Sequence, residues 1–259
     1  MNTIHPVHPL SIAFAIDTQQ PGQASCAAEP LQVEESNGTQ ARTLGEQAYH
    51  QLRQHIIEGR YPPGTKLRVE HLKDLYNVGA GTLREALTRL VSDALVVAEG
   101  QRGFRVTPMS LADLEDITRL RIHIEVDALR ESVRRGDDAW EQRVRQSFDM
   151  LSTFEQPVSI ENRPSWEVHN RRFHEELISA AASQWTYLVL RILSQHGERY
   201  RRVCIGLVDT QRDVHQEHLR IFEAAMQRAD ARAALALEDH ISTTLTIARR
   251  APAGTLPFA

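Results

Sequence analysis

Apolar residues fall into three textures along the chain. Residues 1–41 are rich in Pro, Gln, Ser, Gly and Ala and carry no helical or strand period, which predicts a disordered tail. From Thr43 the apolar residues Leu44, Ala48, Leu52 and Ile56 recur every four positions, one stripe along a helix. The segment Glu58–Gly64, with two glycines and paired prolines, ends that helix. Val69, Leu72 and Leu75 predict a short second helix with all three side chains inward. Asn77–Gly81 reads as a tight turn, and Thr82-Leu83-Arg84-Glu85 as a capping box opening a third helix. Leu83, Ala86, Leu87 and Leu90 form its buried stripe. Leu95–Ala98 and Phe104–Val106 are strand-like and flank a glycine-bearing tip, Glu99–Gly103. After Thr107–Ser110 the period is helical to the end, with breaks near Gly136-Asp137, Gln156–Pro164, Ser183, Gly206–Asp209 and Ala229-Asp230. About six helices are expected, near 111–135, 138–154, 165–182, 185–204, 210–228 and 231–249.

The expected fold is mainly α: an N-terminal winged helix-turn-helix domain followed by an all-α bundle of about six helices. Its boundaries are a tail over 1–41, the winged domain over 42–108, the helical domain over 109–250 and a C-terminal tail over 251–259. At 259 residues and 41% hydrophobic, the chain can build sizeable cores. No apolar run approaches a membrane span, and the Leu10–Ile16 patch lacks the positive flank of a secretory signal. Cys26 and Cys204 make no disulfide framework, so a cytoplasmic setting is expected.

Charge changes the picture once it is divided. The whole chain carries −4, which by itself weighs mildly against a nucleic-acid partner. Residues 1–41 hold four acids and no Lys or Arg, whereas residues 42–108 hold ten Lys/Arg against seven Asp/Glu, a net +3. Residues 109–259 return to −3, so the basic character sits on the winged domain.

Two helices joined by a glycine-bearing turn can place the second in a DNA major groove. Arg84, in the expected first turn, can fork onto a guanine edge or a phosphate. Thr82 and the backbone amides at the helix start suit a phosphate. Arg68 and Lys73, with Lys66, can neutralise backbone charge, and Arg102 and Arg105 flank Gly103 in the wing. Surface Lys and Arg on any small helical domain would look similar.

Residues Gln47–Val106 resemble the winged-helix domain of GntR-type bacterial transcription regulators. Leu52–Gly59, Tyr61–Leu67, Leu83–Leu90 and Gln101–Val106 carry the match. The turn Gly79-Ala80-Gly81-Thr82 departs from it, because many members carry Ser-Arg there. The resemblance implies DNA binding, as a homodimer on an inverted-repeat operator.

The helical half carries histidines at His174, His218 and His240, and Asn170 precedes His174 by four residues on one helix face. Helices with inward His can converge on one metal, but by spacing alone these fit surface or core positions as readily. The segment His174–Ile178 misses the zinc-protease pattern, because Ile178 stands where the second His belongs. No nucleophile elbow, phosphate loop or paired-Cys site appears, so an enzyme is not expected.

Residues 111–248 look like the helical effector-binding domain, FCD, of the FadR-like GntR subfamily. That resemblance implies a metal set of Asn170, His174, His218 and His240, where the family has Asp in place of Asn170. Zinc or nickel is the divalent ion implied. Arg121 matches an arginine facing the effector cavity, which suits a small organic acid; a solvated helix face or an inter-helix ion pair with Glu125 is its alternative. The implied function is a ligand-responsive regulator, commonly a repressor. A metal-free effector pocket stands as the alternative, and a metal-dependent enzyme using the His cluster as the weaker one.

Overall fold

The computed structural model describes residues 43–155, 158–159, 161–205, 212–251 and 256. The expected tail over 1–41, the break at Gly206–Asp209 and most of the tail over 251–259 lie outside the described residues.

The first three helices are α1 (Leu44–Ile57), α2 (Val69–Leu75) and α3 (Ala80–Ser92). Three short strands, β1 (Lys66–Leu67), β2 (Val96–Ala98) and β3 (Phe104–Val106), form an antiparallel sheet in the order β1-β3-β2. Strand β1 was not expected: its two residues pair Lys66 with Arg105 and Leu67 with Phe104. Thr43 caps α1 reciprocally with Glu46, satisfying two donors that a helix start leaves open. Leu52, Leu83, Leu87, Leu90, Leu95 and Val106 are fully buried and knit the helices to the sheet.

Four sequence expectations change here. Leu44 and Leu75 are 63% and 68% exposed, because each occupies a helix terminus that turns it away from the core. Tyr76 follows Leu75 and packs inward instead, its hydroxyl 2.6 Å from His55 Nδ1 and 3.0 Å from the Tyr61 hydroxyl. The turn before α3 lies earlier than expected: Asn77 takes φ 51° and the helix begins at Ala80. Gly79 is the N-cap, with no side-chain cap bond, so Thr82 and Glu85 form no capping box. Arg84 accordingly sits as the fifth residue of α3, beyond the first turn.

The helical domain contains α4 (Leu111–Arg135), α5 (Asp138–Ser152), α6 (Arg163–Leu177), α7 (Gln184–Ile205), α8 (Val214–Met226) and α9 (Asp230–Arg250). Ser110, Asp137 and Asp213 cap α4, α5 and α8 through the amide three residues on. The spine is α4, which packs along α9 and α7. Trp140, Phe173, Leu129 and Ile221 are fully buried in the main core, and the Trp140 indole donates to Glu176 O at 3.0 Å.

The winged domain meets the bundle through α7. Asp93, just past α3 and buried, accepts from the Tyr49 hydroxyl at 2.5 Å and from Arg191 Nη1 at 2.8 Å. His196 Nε2 lies 3.4 Å from Asp93 O, and Arg199 Nη2 donates to Thr107 O at 2.7 Å.

Candidate functional site

Two places carry the sequence-derived residues. On the winged domain, Arg84 is exposed on α3 and makes no ion pair among the described residues. The first intrahelical bond of α3 runs from Leu83 N to Gly79 O, so the amides of Ala80, Gly81 and Thr82 precede it. Thr82 itself is half-buried beside the start of α1, its γ-methyl near Gly45. Arg68 is exposed at the N-cap of α2, and Lys73 pairs with Glu70 at 2.8 Å on the surface, a contact that costs little to exchange.

In the wing, Arg102 is exposed at the tip, and Gly103 takes φ 97°, which any other residue would adopt only under strain. Arg105 differs. Glu99 grips it at 2.6 and 3.2 Å, and its Nη1 donates to Gly64 O at 2.6 Å. Those bonds tie the wing to the loop before β1, so Arg105 serves the local structure.

In the bundle, α6, α8 and α9 bring His174, His218 and His240 together, with one potential ligand atom of each within 4.8 Å of the others. Ring centroids stand 4.5 Å apart for His218 and His240, and 5.1 Å for His174 and His240. Asn170 shares α6 with His174 and is buried. Its Oδ1, His174 Nδ1 and His218 Nε2 have no hydrogen-bond partner.

Behind each histidine stands a glutamate that no sequence spacing pairs with it. His218 Nδ1 lies 2.7 Å from Glu155 Oε1, His240 Nδ1 lies 2.7 Å from Glu217 Oε2, and His174 Nδ1 lies 3.3 Å from Glu125 Oε2. The two 2.7 Å contacts orient the His218 and His240 rings, whereas at His174 the carboxylate lies near without a hydrogen bond. Glu155 and His218 are 63 positions apart, and no local spacing announces such a contact.

Arg121 is buried on α4 and donates from Nε to Glu125 Oε1 at 2.7 Å. The ion pair with Glu125 is present, but within α4, one helical turn on, rather than between helices; Arg121 is not on a solvated face, and through Glu125 it adjoins His174. Gly197 of α7 leaves room for it, since a Cβ there would come within 3.2 Å of Arg121 Nη1.

Burial pushes the Glu125 carboxyl up, but Arg121 and His174 outweigh that and hold it down at about 2. Burial lowers His174 below the usual imidazole range, and Glu125 only partly offsets this. His240 is driven well below it, by burial first and then by His218 and His174. Neutral imidazoles are the form that binds a metal ion. No helix among the described residues is long and apolar enough to cross a membrane.

A basic winged helix-turn-helix domain joined to an all-helical domain with a polar buried centre defines a class of DNA-binding transcription regulators. Residues 44–106 match the family of bacterial regulatory proteins called gntR, and residues 116–243 match the FCD domain. The HTH-type transcriptional regulator BphR of Paraburkholderia xenovorans (strain LB400) is 44% identical over 214 residues, covering 81% of this chain and 86% of that protein. The HTH-type transcriptional repressor GlaR of Escherichia coli (strain K12) is 32% identical over 211 residues, covering 80% of this chain and 96% of that protein. A GntR transcriptional regulator from Rhodococcus sp. RHA1 shares the fold at TM-score 0.66 and 20% identity, over 82% of this chain and all of that one. E. coli McbR/YncC does so at TM-score 0.65 and 17% identity, over 81% of this chain and 98% of that one. The chain belongs to the gntR family, with an FCD domain after its winged helix, and is a DNA-binding transcription regulator. The family consists of regulators, not enzymes.

Proposed function

We propose that this protein is a metal-dependent, ligand-responsive repressor. A homodimer binds an inverted-repeat operator through α3 and the wing, and a small organic acid binding in the helical domain changes operator affinity. In this reading Arg84 reads base edges, the amides at the start of α3 with Thr82 hold a phosphate, and Arg68, Lys73, Arg102 and the backbone at Gly103 meet the DNA backbone. The repressor assignment draws on GlaR, which is named as a repressor.

The observation that carries the metal is the convergence of three histidines beside an orphaned amide oxygen. Buried acceptors are ordinarily satisfied. One cation accepting lone pairs from His174, His218, His240 and Asn170 satisfies them together, and imidazole donors suit zinc or nickel. A bound divalent ion would supply a Lewis-acidic position for the carboxylate of an effector. Arg121, already paired with Glu125, would orient that carboxylate through its remaining N–H groups.

The test combines metal analysis with thermal shift. Protein purified without chelators is expected to carry close to one divalent ion per chain, lost in a His174→Ala/His218→Ala variant. Metabolic carboxylates should raise the melting temperature in the metal-loaded form, because ligand binding stabilises by mass action. A carboxylate response that persists in metal-free protein would overturn the metal reading and leave a purely polar pocket.

A further inference from the structure

The three histidines differ in what their glutamates otherwise hold. Glu125, facing His174, also carries Arg121 at 2.7 Å. Glu217, facing His240, also carries Arg212 at 2.9 and 2.7 Å. Each of these carboxylates is therefore already balanced by a guanidinium.

Glu155 is arranged otherwise. It lies just past the end of α5, away from the helices that bear the histidines, and its side chain is fully buried. Its Oε1 accepts from His218 Nδ1 at 2.7 Å and from the Trp166 indole at 3.0 Å. Its Oε2 faces His215 Nδ1 at 3.1 Å. Among the described residues, no arginine or lysine lies within ion-pair distance of it. A buried carboxylate without a fixed cation is strongly unfavourable unless positive charge is supplied nearby.

The geometry constrains His218 as well. An ionised carboxylate only accepts, so the proton of a neutral His218 sits on Nδ1 and its lone pair on Nε2. That Nε2 is one of the buried atoms with no hydrogen-bond partner. His215, one turn earlier on α8 and stacked on Phe148, contacts the second carboxylate oxygen at 3.1 Å, a second hold on the Glu155 side chain.

We propose that Glu155 is the positioning residue of the metal centre: it locks His218 with Nε2 free to ligate, and it supplies from behind the ligands the negative charge that Asn170 does not bring. The proposal rests on the metal-binding reading above. It also gives the centre a character. The ligands are neutral, the charge is one bond-network removed, and the site favours zinc, nickel or cobalt over magnesium or calcium, which demand oxygen donors.

Glu155→Gln is close to isosteric and keeps an acceptor for His218 and Trp166 while removing the charge. In the full-length protein, with Zn2+ or Co2+ alone as probe, the variant is expected to bind about 10–100-fold more weakly. The visible absorption of the Co2+ form should change shape, while the melting temperature of the metal-free protein changes little. Equal affinity and an unchanged Co2+ spectrum would overturn the positioning role and leave the metal reading standing. A wild-type protein that binds neither ion overturns both. If the variant does not fold, 15N shifts of the imidazoles in metal-free wild-type protein decide the point: His218 protonated on Nδ1 is expected, and protonation on Nε2 refutes the proposal.

Discussion

Two arginines of the winged domain, Arg84 and Arg105, carry the same charge to different ends. Arg105 is spent on Glu99 and Gly64 O and builds the wing. Arg84 is exposed and unpaired among the described residues, on the helix proposed to enter the major groove. Arg84→Ala is expected to cost about 1–3 kcal/mol in operator binding and to relax specificity at the base it meets. Fluorescence anisotropy on a footprinted operator measures this, and unchanged affinity would remove Arg84 from the recognition surface. Sequence alone treated the pair Arg102 and Arg105 as equivalent flanks of Gly103. Only the cross-strand partner Glu99 separates them, and that partner depends on the register of β2 against β3.

Helix boundaries decide which threonine is a cap. Thr43 accepts from Glu46 N at 3.2 Å at the head of α1, whereas Thr82 lies inside α3 behind Gly79. Thr43→Ala is expected to lower stability by about 1 kcal/mol, the usual worth of such a cap, and Thr82→Ala by less than about half of that. Denaturant midpoints compare the two, and a larger loss at Thr82 would restore the capping box. Most elements were legible because their apolar periods are long. The breaks at Gly136, Ser183 and Ala229 each stand within two residues of a helix end. The misses share one physical cause. A two-residue strand such as β1 has no period to detect, and the start of α3 depended on the φ of Asn77, which composition does not specify. In the bundle, the histidines could be numbered from the family resemblance. Their glutamates could not, since Glu125, Glu155 and Glu217 meet them only through tertiary packing.

At the scale of the whole molecule, buried neutral imidazoles tie stability to pH. His174, His196 and His240 are all pushed below the usual value of 6.5, each by burial first. The unfolded chain takes up protons at that value while the folded one resists them. The stability they confer is thus present above about pH 6.5 and is lost as pH falls below it. Glu125, held at about 2, adds a second loss that sets in below the usual carboxylate value of 4.5 and ends near pH 2. Chelator-treated protein is expected to show a falling denaturation midpoint from about pH 7.5 to about pH 5.5. A flat midpoint over that window would mean that these imidazoles are not held neutral by the fold.

Asp93 is pinned by Tyr49 and Arg191 just past the C-terminal end of α3, at the opposite end from Arg84, the residue proposed to read base edges. With a rise of about 1.5 Å per residue, Arg84 stands roughly 13 Å along α3 from that pin. The helix is then a jib with its fulcrum on α7. A tilt of about five degrees there sweeps Arg84 through roughly 1 Å, a large fraction of the tolerance of a hydrogen bond to a base. Gly197, next in the chain to His196 but on another face of α7, is where Arg121 comes close. If α3 lies in the operator as proposed, a small displacement of α7 would be enlarged at Arg84, and the ion pair at Asp93 would set the length of the arm.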